Sequence, residues 1–273
     1  MPAMPESRLL FEVADHRTAG PPTSHYHQEY EIYFLIDGSC RYFIDNKTYS
    51  LTCGDFVVIP PGIIHKVIYE VPAYSRFLIH CSEDYIPPSV LPHVDELVYF
   101  SPPHAILEQI HNLYRQLGSA YAQRGEFSDD TIRCCIAALM LLMVKNPTAL
   151  PDIHTGSSFV EKAVRYIRSH YNAHPTLQDT AQHCAVSPEH LSRMFRKETG
   201  FGFNEYLNLY RLKKAESILK SGNCPNIAQV AIQCGFNDSN YFSSCFRKMY
   251  GISPSDLKKQ HEKENSYVYY DHA

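Results

Sequence analysis

The stretch TLQDTAQHCAVS, residues 176–187, has a counterpart fifty positions further on, NIAQVAIQCGFN, residues 226–237. Each copy opens with a helix-capping residue and a polar partner three positions later: Thr in the first copy and Asn in the second, followed by Asp and Gln. Such a pair satisfies backbone amides at the start of a helix. Apolar residues then recur at helical spacing, so one face of each segment is expected to be buried. The pattern predicts two short helices at equivalent places of a repeated unit.

A second helix is predicted after a short turn in each copy, over residues 188–199 and 238–250. In these helices Phe195 aligns with Phe246 at an offset of fifty-one, so the second turn is one residue longer. Two short helices joined by a turn describe a helix-turn-helix. Two copies in register are stronger evidence than one, and the alternative is a helical repeat that only packs together.

Residues 158–260 resemble the DNA-binding domain of AraC-type transcriptional regulators. The residues that carry the resemblance are Ala231, Gly235-Phe236, Tyr241-Phe242, Phe246-Arg247-Lys248 and Gly251-Ile252-Ser253-Pro254. The resemblance implies a seven-helix domain with two recognition helices. A connecting helix over 204–220, closed by Gly222, would hold these helices about one duplex turn apart, roughly 34 Å, in successive major grooves.

Charge is divided unevenly along the chain. Residues 1–157 carry 10 Lys and Arg against 18 Asp and Glu, whereas residues 158–260 carry 14 against 8. Binding to DNA requires a basic surface, and the positive segment coincides with the helix-turn-helix pair. The alternative interpretation of this excess is an ordinary solvated face. Double-stranded DNA is therefore the predicted partner of the second half of the chain.

The family analogy assigns roles on the exposed faces of the two recognition helices. Base edges would be read by Glu189, Ser192 and Arg193 in the first motif and by Ser239, Asn240 and Ser243 in the second. Arginine can bind guanine in bidentate fashion, glutamate can accept from cytosine and asparagine can address adenine. Phosphates would be contacted by Arg196, Lys197, Arg247 and Lys248. Ser244 stands where relatives often carry arginine, so the second motif would read sequence less sharply.

Short apolar runs punctuated by turn residues fill the first half of the chain. They cover residues 30–36, 40–44, 49–51, 56–60, 65–71 and 76–80, with Asp37-Gly38 and Asp45-Asn46 as hairpin signals. About six strands at this spacing predict an antiparallel barrel or sandwich. The fold class is thus an N-terminal all-β barrel with two following helices and a C-terminal all-α domain with two helix-turn-helix motifs.

A second constellation lies within these strands. His25-x-His27-x3-Glu31-x6-Gly38 is followed by Gly54-x5-Pro60-x-Gly62-x2-His65, and this pattern resembles the two motifs of the cupin barrel. In an unbroken strand His25, His27 and Glu31 would share one face, and His65 would approach from a neighbouring strand. Three imidazoles and a carboxylate suit a divalent metal such as Zn, Ni, Mn or Fe. The alternative is a polar pocket for an organic effector without metal.

No single residue of the sequence identifies the effector, but the composition of the barrel segment suggests a class of molecule. The barrel segment is rich in tyrosine (Tyr26, Tyr30, Tyr33, Tyr42, Tyr49, Tyr69 and Tyr74). Aromatic faces with polar tips suit sugars and related polar metabolites. About half of these side chains should instead point outward or pack in the core, so carbohydrate is a hypothesis.

The remaining segments complete the predicted organisation. Amphipathic helices are predicted over 103–124 and 128–145, and the family resemblance assigns them a dimer contact, the alternative being that they only cover the barrel. Residues 1–20 predict an arm rather than a core element. The expected divisions are 1–145 for a cupin-like ligand-sensing and dimerisation domain, 146–157 for a linker, 158–260 for the AraC-type DNA-binding domain and 261–273 for a polar tail.

These features together predict a ligand-responsive, homodimeric transcriptional regulator, an activator on family grounds, with RNA polymerase as a further partner. It is expected to be cytoplasmic, since the first residues lack a signal sequence, no apolar run could span a membrane, and nine cysteines form no CxxC pair. No catalytic residues are predicted. The rival hypothesis is a metal-dependent cupin enzyme or metal sensor fused to a DNA-binding domain.

Overall fold

The computed structural model describes residues 9–18, 27–69, 73–97, 99–146, 157–221 and 226–268. The chain divides into two compact units, Met1–His154 and Thr155–Ala273. Most of the predicted linker and the first eight residues lie outside the described residues. The first unit contains seven described strands: β1 (Leu9–Thr18), β2 (Tyr30–Asp37), β3 (Ser39–Ile44), β4 (Lys47–Thr52), β5 (Phe56–Ile59), β6 (His65–Tyr69) and β7 (Ala73–Cys81).

The strands form two antiparallel sheets, of order β1-β7-β2-β5 and β4-β3-β6. The two sheets share one core, to which β2 contributes Tyr33 and Leu35, and β3 contributes Tyr42 and Ile44. Tight turns with positive φ at Asp45, Gly38 and Gly54 connect the strands, as the hairpin signals predicted. The cupin-like, sheet-rich architecture expected for this half of the chain is confirmed.

The outer face of the four-stranded sheet is covered by two helices, α1 (His104–Gln123) and α2 (Ser128–Lys145). Alternate residues of β2, such as Ile32 and Phe34, pack with Tyr114 of α1 and Ile136 of α2 in a second core. Both faces of β2 are therefore buried, which explains why its sequence is apolar apart from Glu31 and the terminal Asp37. The odd-numbered residues of β2 point into the space between the sheets.

The prediction that residues 1–20 form an arm is wrong for residues 9–18. These residues form β1, which pairs with β7 in antiparallel register from Leu9 opposite Cys81 to Thr18 opposite Ala73. Phe11 packs on α1, where a Cβ at Gly118 would lie 3.0 Å from its ring. Leu9–Thr18 is thus an edge strand of the larger sheet.

Seven helices are described in the second unit, in agreement with the expected seven-helix domain: α3 (Ser158–His170), α4 (Leu177–His183), α5 (Pro188–Thr199), α6 (Phe203–Lys220), α7 (Ile227–Gln233), α8 (Ser239–Tyr250) and α9 (Pro254–Val268). The last of these helices continues beyond residue 260, where a tail was predicted. No helix of the described residues is long and apolar enough to cross a membrane.

The two helix-turn-helix motifs are α4–α5 and α7–α8. Thr176 and Asp179 form the predicted reciprocal cap of α4, and the Asn226 side chain accepts from the Gln229 amide at the start of α7. The turn of each motif contains one left-handed residue, Ala185 at φ 57° and Gly235 at φ 82°. The repeated sequence therefore gives a repeated backbone, with glycine in only one of the two turns.

The connecting helix α6 lies between the motifs and is largely buried. Leu207, Tyr210, Leu212, Ala215 and Leu219 are buried, as the helical spacing predicted. Gly222, the predicted end of this helix, lies outside the described residues. The Nε of Arg211 donates to the carbonyl oxygen of Tyr171 at 2.7 Å, and this guanidinium packs against Gly235 in the second turn. The connecting helix therefore supports the second motif directly.

Candidate functional site

A cluster of histidines surrounds one buried carboxylate between the two sheets of the first unit. Glu31 lies on β2, is 1% exposed and points toward the second sheet. Its Oε2 is 2.9 Å from Nε2 of His80, 3.1 Å from Nε2 of His27 and 3.5 Å from Nε2 of His65. Its other oxygen accepts a hydrogen bond from the Tyr42 hydroxyl. Three imidazoles thus converge on a single carboxylate oxygen.

The predicted position of one of the two described motif histidines, His27, needs correction. His27 precedes β2 rather than lying on it, because the strand begins at Tyr30, and its Nδ1 contacts the Glu29 carbonyl at 2.9 Å. His65 begins β6, which belongs to the smaller sheet and faces β2 instead of pairing with it. His25 lies outside the described residues.

His80 is a member of the cluster that the motif analysis missed. It lies on β7 directly opposite Glu31 in the antiparallel register. His27, Glu31 and His80 each offer a ligand atom, and these atoms lie within 4.8 Å of one another. In the sequence His80 ends an apolar run and has no motif around it. Only the pairing of β2 with β7 brings it to the site.

The electrostatics of the cluster favour the ionised form of Glu31 and the protonated form of His27, and they keep Tyr42 neutral. Burial alone would raise the pKa of Glu31, but the neighbouring histidines hold this pKa well below its usual range. Burial opposes the protonation of His27, yet its hydrogen bond and attraction to Glu31 raise its pKa above the ordinary value. Burial and the Glu31 carboxylate both raise the pKa of the Tyr42 hydroxyl, which stays a hydrogen-bond donor.

The donor set fits a borderline divalent metal. Imidazole nitrogens together with one carboxylate oxygen are typical ligands of zinc, nickel, manganese and iron. The same residues also fit a metal-free role, since Glu31 accepts hydrogen bonds from its neighbours and so fixes the histidine rings. The site could therefore hold either a metal or the polar groups of an organic molecule.

Tyrosines continue the polar lining between the sheets. Tyr33, Tyr42 and Tyr49 belong to the shared core, and Tyr69 packs against it. Tyr74 stacks on Tyr69 with ring centroids 3.6 Å apart. Tyr30 instead packs on the helix side of the sheet, and Tyr26 lies outside the described residues. The inner face is thus aromatic with polar tips, as the sequence composition suggested.

The second unit presents the first recognition helix, α5, with its predicted reading residues outward. Glu189, Ser192 and Arg193 are exposed, while Leu191 and Phe195 are fully buried. The cap from Ser187 to the His190 amide sets the start of this helix. The Arg193 guanidinium lies 3.1 Å from Nδ1 of His190. His190, which was not assigned a role, therefore holds the proposed guanine-reading side chain in place.

The second recognition helix, α8, presents a smaller polar face. Ser239 and Asn240 are exposed. Ser243 is half-buried, and its hydroxyl donates to the Ser239 carbonyl at 2.8 Å. Asp238 caps the helix by accepting from the Asn240 and Tyr241 amides at 2.7 Å. Among the predicted readers on α8, Asn240 therefore has the longest exposed polar side chain.

The four predicted phosphate-contacting residues lie toward the ends of the recognition helices. Arg196, Lys197, Arg247 and Lys248 are all exposed. Arg247 and Lys248 line a cleft together with Ser243, Ser244 and Ser253. Two adjacent cations in such a cleft suit a phosphate oxygen.

Two family models match the chain and together span most of it. A model of an AraC-like ligand binding domain matches residues 12–132, and a model of a helix-turn-helix domain matches residues 180–260. The two matches fall on the barrel unit and on the pair of motifs described above. A barrel with an interior polar site combined with such a pair defines a ligand-responsive transcriptional regulator. The chain belongs to the AraC-type family of these regulators.

Named relatives agree with this assignment. The HTH-type transcriptional activator RhaS of Escherichia coli O81 (strain ED1a) is 24% identical over 251 residues, which cover 86% of this chain and 87% of RhaS. The same activator from Escherichia coli (strain SMS-3-5 / SECEC) is 22% identical over 249 residues, with the same two coverages.

Solved structures are also similar to this chain, with low TM-scores. The C-terminal domain of AraT, a response regulator from Geobacillus stearothermophilus, is 35% identical with a TM-score of 0.37, covering 38% of this chain and 87% of that domain. ToxT from Vibrio cholerae O395 is 14% identical with a TM-score of 0.38, covering 92% of this chain and 96% of ToxT.

Proposed function

We propose that this regulator activates transcription when a small molecule binds between the two sheets of its first unit. The observation that carries the proposal is the pair of capped helix-turn-helix motifs with outward polar faces, in one chain with a barrel whose interior is polar. Activation follows the named relatives, which are transcriptional activators. RNA polymerase is accordingly a proposed partner.

In the proposed DNA complex, α5 and α8 each enter a major groove of double-stranded DNA. Glu189, Ser192 and Arg193 read bases from α5, and Ser239, Asn240 and Ser243 read bases from α8. The exposure of Arg193 and Asn240 supports these roles. Arg196, Lys197, Arg247 and Lys248 hold the backbone, for which their exposure and the cleft at Arg247 are the support.

Selection from random duplexes with the full chain tests this function. The expected product is a bipartite site whose two halves are about 10–10.5 base pairs apart, centre to centre. The logarithm of the affinity for the selected site should fall linearly with the logarithm of the salt concentration, because lysine and arginine side chains displace counterions from the DNA phosphates. Enrichment of a single short half-site, or none, would refute the proposed pair of readers.

The effector is proposed to bind among Glu31, His27, His65, His80 and the inward tyrosines. His25 remains a proposed member of this site. A sugar or related polar metabolite would use the stacking faces and hydroxyls of Tyr33 and its neighbours.

The barrel unit is proposed to extend over 1–145 and the DNA-binding unit over 158–260, with a linker over 146–157 and a tail over 261–273.

A metal-responsive regulator is the second candidate function. The specific observation in its favour is the convergence of His27, His65 and His80 on one oxygen of Glu31. A bound divalent ion would replace the hydrogen bonds that His27 and His80 now share with the carboxylate. Metal analysis of protein purified without chelators, with His27→Ala as the comparison, distinguishes this candidate from a purely organic effector.

Homodimerisation is proposed through the exposed side of α1 and α2. Leu113, Leu141 and Leu142 line a groove between these helices, together with the polar residues Gln109 and Lys145. Leu141 remains 37% exposed although the opposite sides of both helices are buried against the sheet. An apolar groove on helices that already cover the barrel supports a second copy of the chain as its occupant.

A further inference from the structure

A positively charged side chain lies between the sheets, apart from the histidine cluster. Arg76 is on β7, opposite Leu35 of β2, with the same inward orientation as Leu78 and His80. Its side chain is only 13% exposed. The guanidinium carbon lies 5.9 Å from the centre of the Tyr33 ring. This arrangement places a cation against the aromatic lining of the proposed effector site.

The guanidinium is poorly satisfied by its surroundings. Its Nε and Nη1 atoms are buried and have no hydrogen-bond partner among the described residues. Its Nη2 donates to Glu12 Oε1 at 3.2 Å, and the Glu12 side chain, on the edge strand β1, is 33% exposed. An arginine carries five N–H donors in a planar fork. Burying most of them without acceptors costs free energy, so the position is unfavourable unless something binds there.

The charge is nevertheless retained. Burial alone would lower the pKa of Arg76, but Tyr69, Glu12 and Tyr33 hold this pKa above its ordinary value. The site therefore presents a permanent cation with unused donors, and an oxyanion is the complementary ligand.

Tyrosines connect this cation to the histidine cluster. The Tyr33 hydroxyl donates to the Tyr69 hydroxyl at 3.4 Å. The Tyr33 ring contacts the Tyr42 ring edge-on at 5.1 Å, and Tyr42 in turn donates to Glu31. The two polar groups are thus ends of one continuous aromatic lining, which a single small molecule could contact.

We propose that Arg76 binds a carboxylate or phosphate group of the effector, so that the regulator responds to an acidic metabolite rather than to a neutral sugar. This inference rests on the proposed function, in which the effector lies between the sheets. The fork of Arg76 would take two oxygens of the acid, while the tyrosine faces and hydroxyls would hold the rest of the molecule. The alternative is that Arg76 has only a structural role, through its ion pair with Glu12.

Thermal unfolding of the full chain in acetate, compared with chloride at equal ionic strength, tests the inference. Acetate is the smallest carboxylate probe with a methyl group, and inorganic phosphate serves in a parallel titration. At about ten times its Kd, a bound anion should raise the Tm of the natural chain by about 3–5 °C. The anion with the larger shift identifies the acid group.

Three variants make the result decisive. Arg76→Met removes the charge and should abolish the anion-dependent shift, and Arg76→Lys keeps the charge without the fork and should retain only part of it. Arg115→Met, at an exposed position of α1, removes a cation elsewhere and should leave the shift intact. An equal shift in all four proteins, or no shift in the natural chain with either anion, would overturn the inference.

Binding of the natural chain to its selected DNA site is measured in the same preparations. Failure of the natural chain to bind this DNA would count against the proposed function itself. If the natural chain bound its DNA normally but the anion-dependent shift in Tm were the same in the Arg76 variants, only the acidic effector would be contradicted. The two failures are therefore distinguishable.

Discussion

Arg193 is the residue whose role in DNA recognition can be stated most specifically. It is exposed on α5, and His190 holds its guanidinium at 3.1 Å. We expect Arg193→Ala to cost about 1–3 kcal/mol at the selected site and to relax the preference at one base pair. Binding isotherms on the selected site and on its single-base variants measure both effects.

Arg247→Ala is the matched control, because this arginine lines the cleft assigned to phosphate. It should weaken binding to all sequences alike and reduce the slope of log affinity against log salt by about one. The assignments would be reversed if Arg193→Ala weakened random DNA equally while Arg247→Ala proved base-selective.

His80 provides a test of metal binding at the cluster. If the cluster binds a divalent ion, His80→Ala should weaken Zn²⁺ binding about ten-fold or more, because one imidazole ligand is lost. Calorimetric titration of chelator-treated protein measures the affinity. His104→Ala, at an exposed position of α1, should bind as the natural chain does. If His80→Ala and His104→Ala bound Zn²⁺ with equal affinity, His80 would not be a ligand of the ion.

The residues of this cluster also show what the sequence could and could not predict. The spacing of His27, Glu31 and His65 indicated a shared site because a known motif preserves it. His80 carried no such signal, since its position depends on the pairing of β2 with β7 across about fifty residues of chain. Contacts set by strand register between distant segments are invisible to local pattern analysis.

At the scale of elements, the turns of the two motifs carry different residues at the left-handed position, alanine in the first and glycine in the second, and this difference has a measurable consequence. Ala185 has φ 57° in the first turn, a left-handed conformation that costs an alanine about 1–2 kcal/mol. Glycine adopts this conformation freely but has more freedom in the unfolded chain. We expect Ala185→Gly to raise the free energy of unfolding by about 0.5–1 kcal/mol, measured by urea denaturation.

Gly235→Ala should have the opposite effect in the second turn. Its added Cβ would lie 2.8 Å from the Tyr171 carbonyl oxygen and 3.0 Å from the Arg211 guanidinium, at φ 82°. The expected loss is about 1–3 kcal/mol. Ala228→Gly, in the exposed part of α7, is the control for glycine at an ordinary helical position and should cost about 1 kcal/mol. A stabilising Gly235→Ala would contradict this view of the turn.

The elements of the second unit were predicted closely because their signals are local. Caps at Thr176 and Asn226 and apolar residues at helical spacing lie within a few positions of the helices that they specify. β1 was missed for the opposite reason. Leu9–Thr18 mixes apolar and charged residues, and its partner β7 begins more than fifty residues later. An edge strand needs only one buried face, so its composition resembles that of a loop.

For the whole molecule, self-association should depend on the groove between α1 and α2. Leu141→Glu places a charge in the proposed contact and should shift sedimentation equilibrium toward the monomer. The Tm measured at a concentration where the natural chain is monomeric should change little, because Leu141 is 37% exposed. Gln123→Glu, at an exposed position near the end of α1, adds the same charge outside the groove and should leave association unchanged. A dimer unaffected by Leu141→Glu would place the contact elsewhere.

The central claim is that one chain reads two adjacent major grooves with α5 and α8. Methylation protection on the selected duplex tests it most directly, because guanine N7 lies in the major groove. The natural chain should protect two clusters of bases about 10–10.5 base pairs apart. Arg193→Ala should lose protection in one cluster and Asn240→Ala should weaken the other. A single protected cluster, or loss of the same cluster in both variants, would contradict the account.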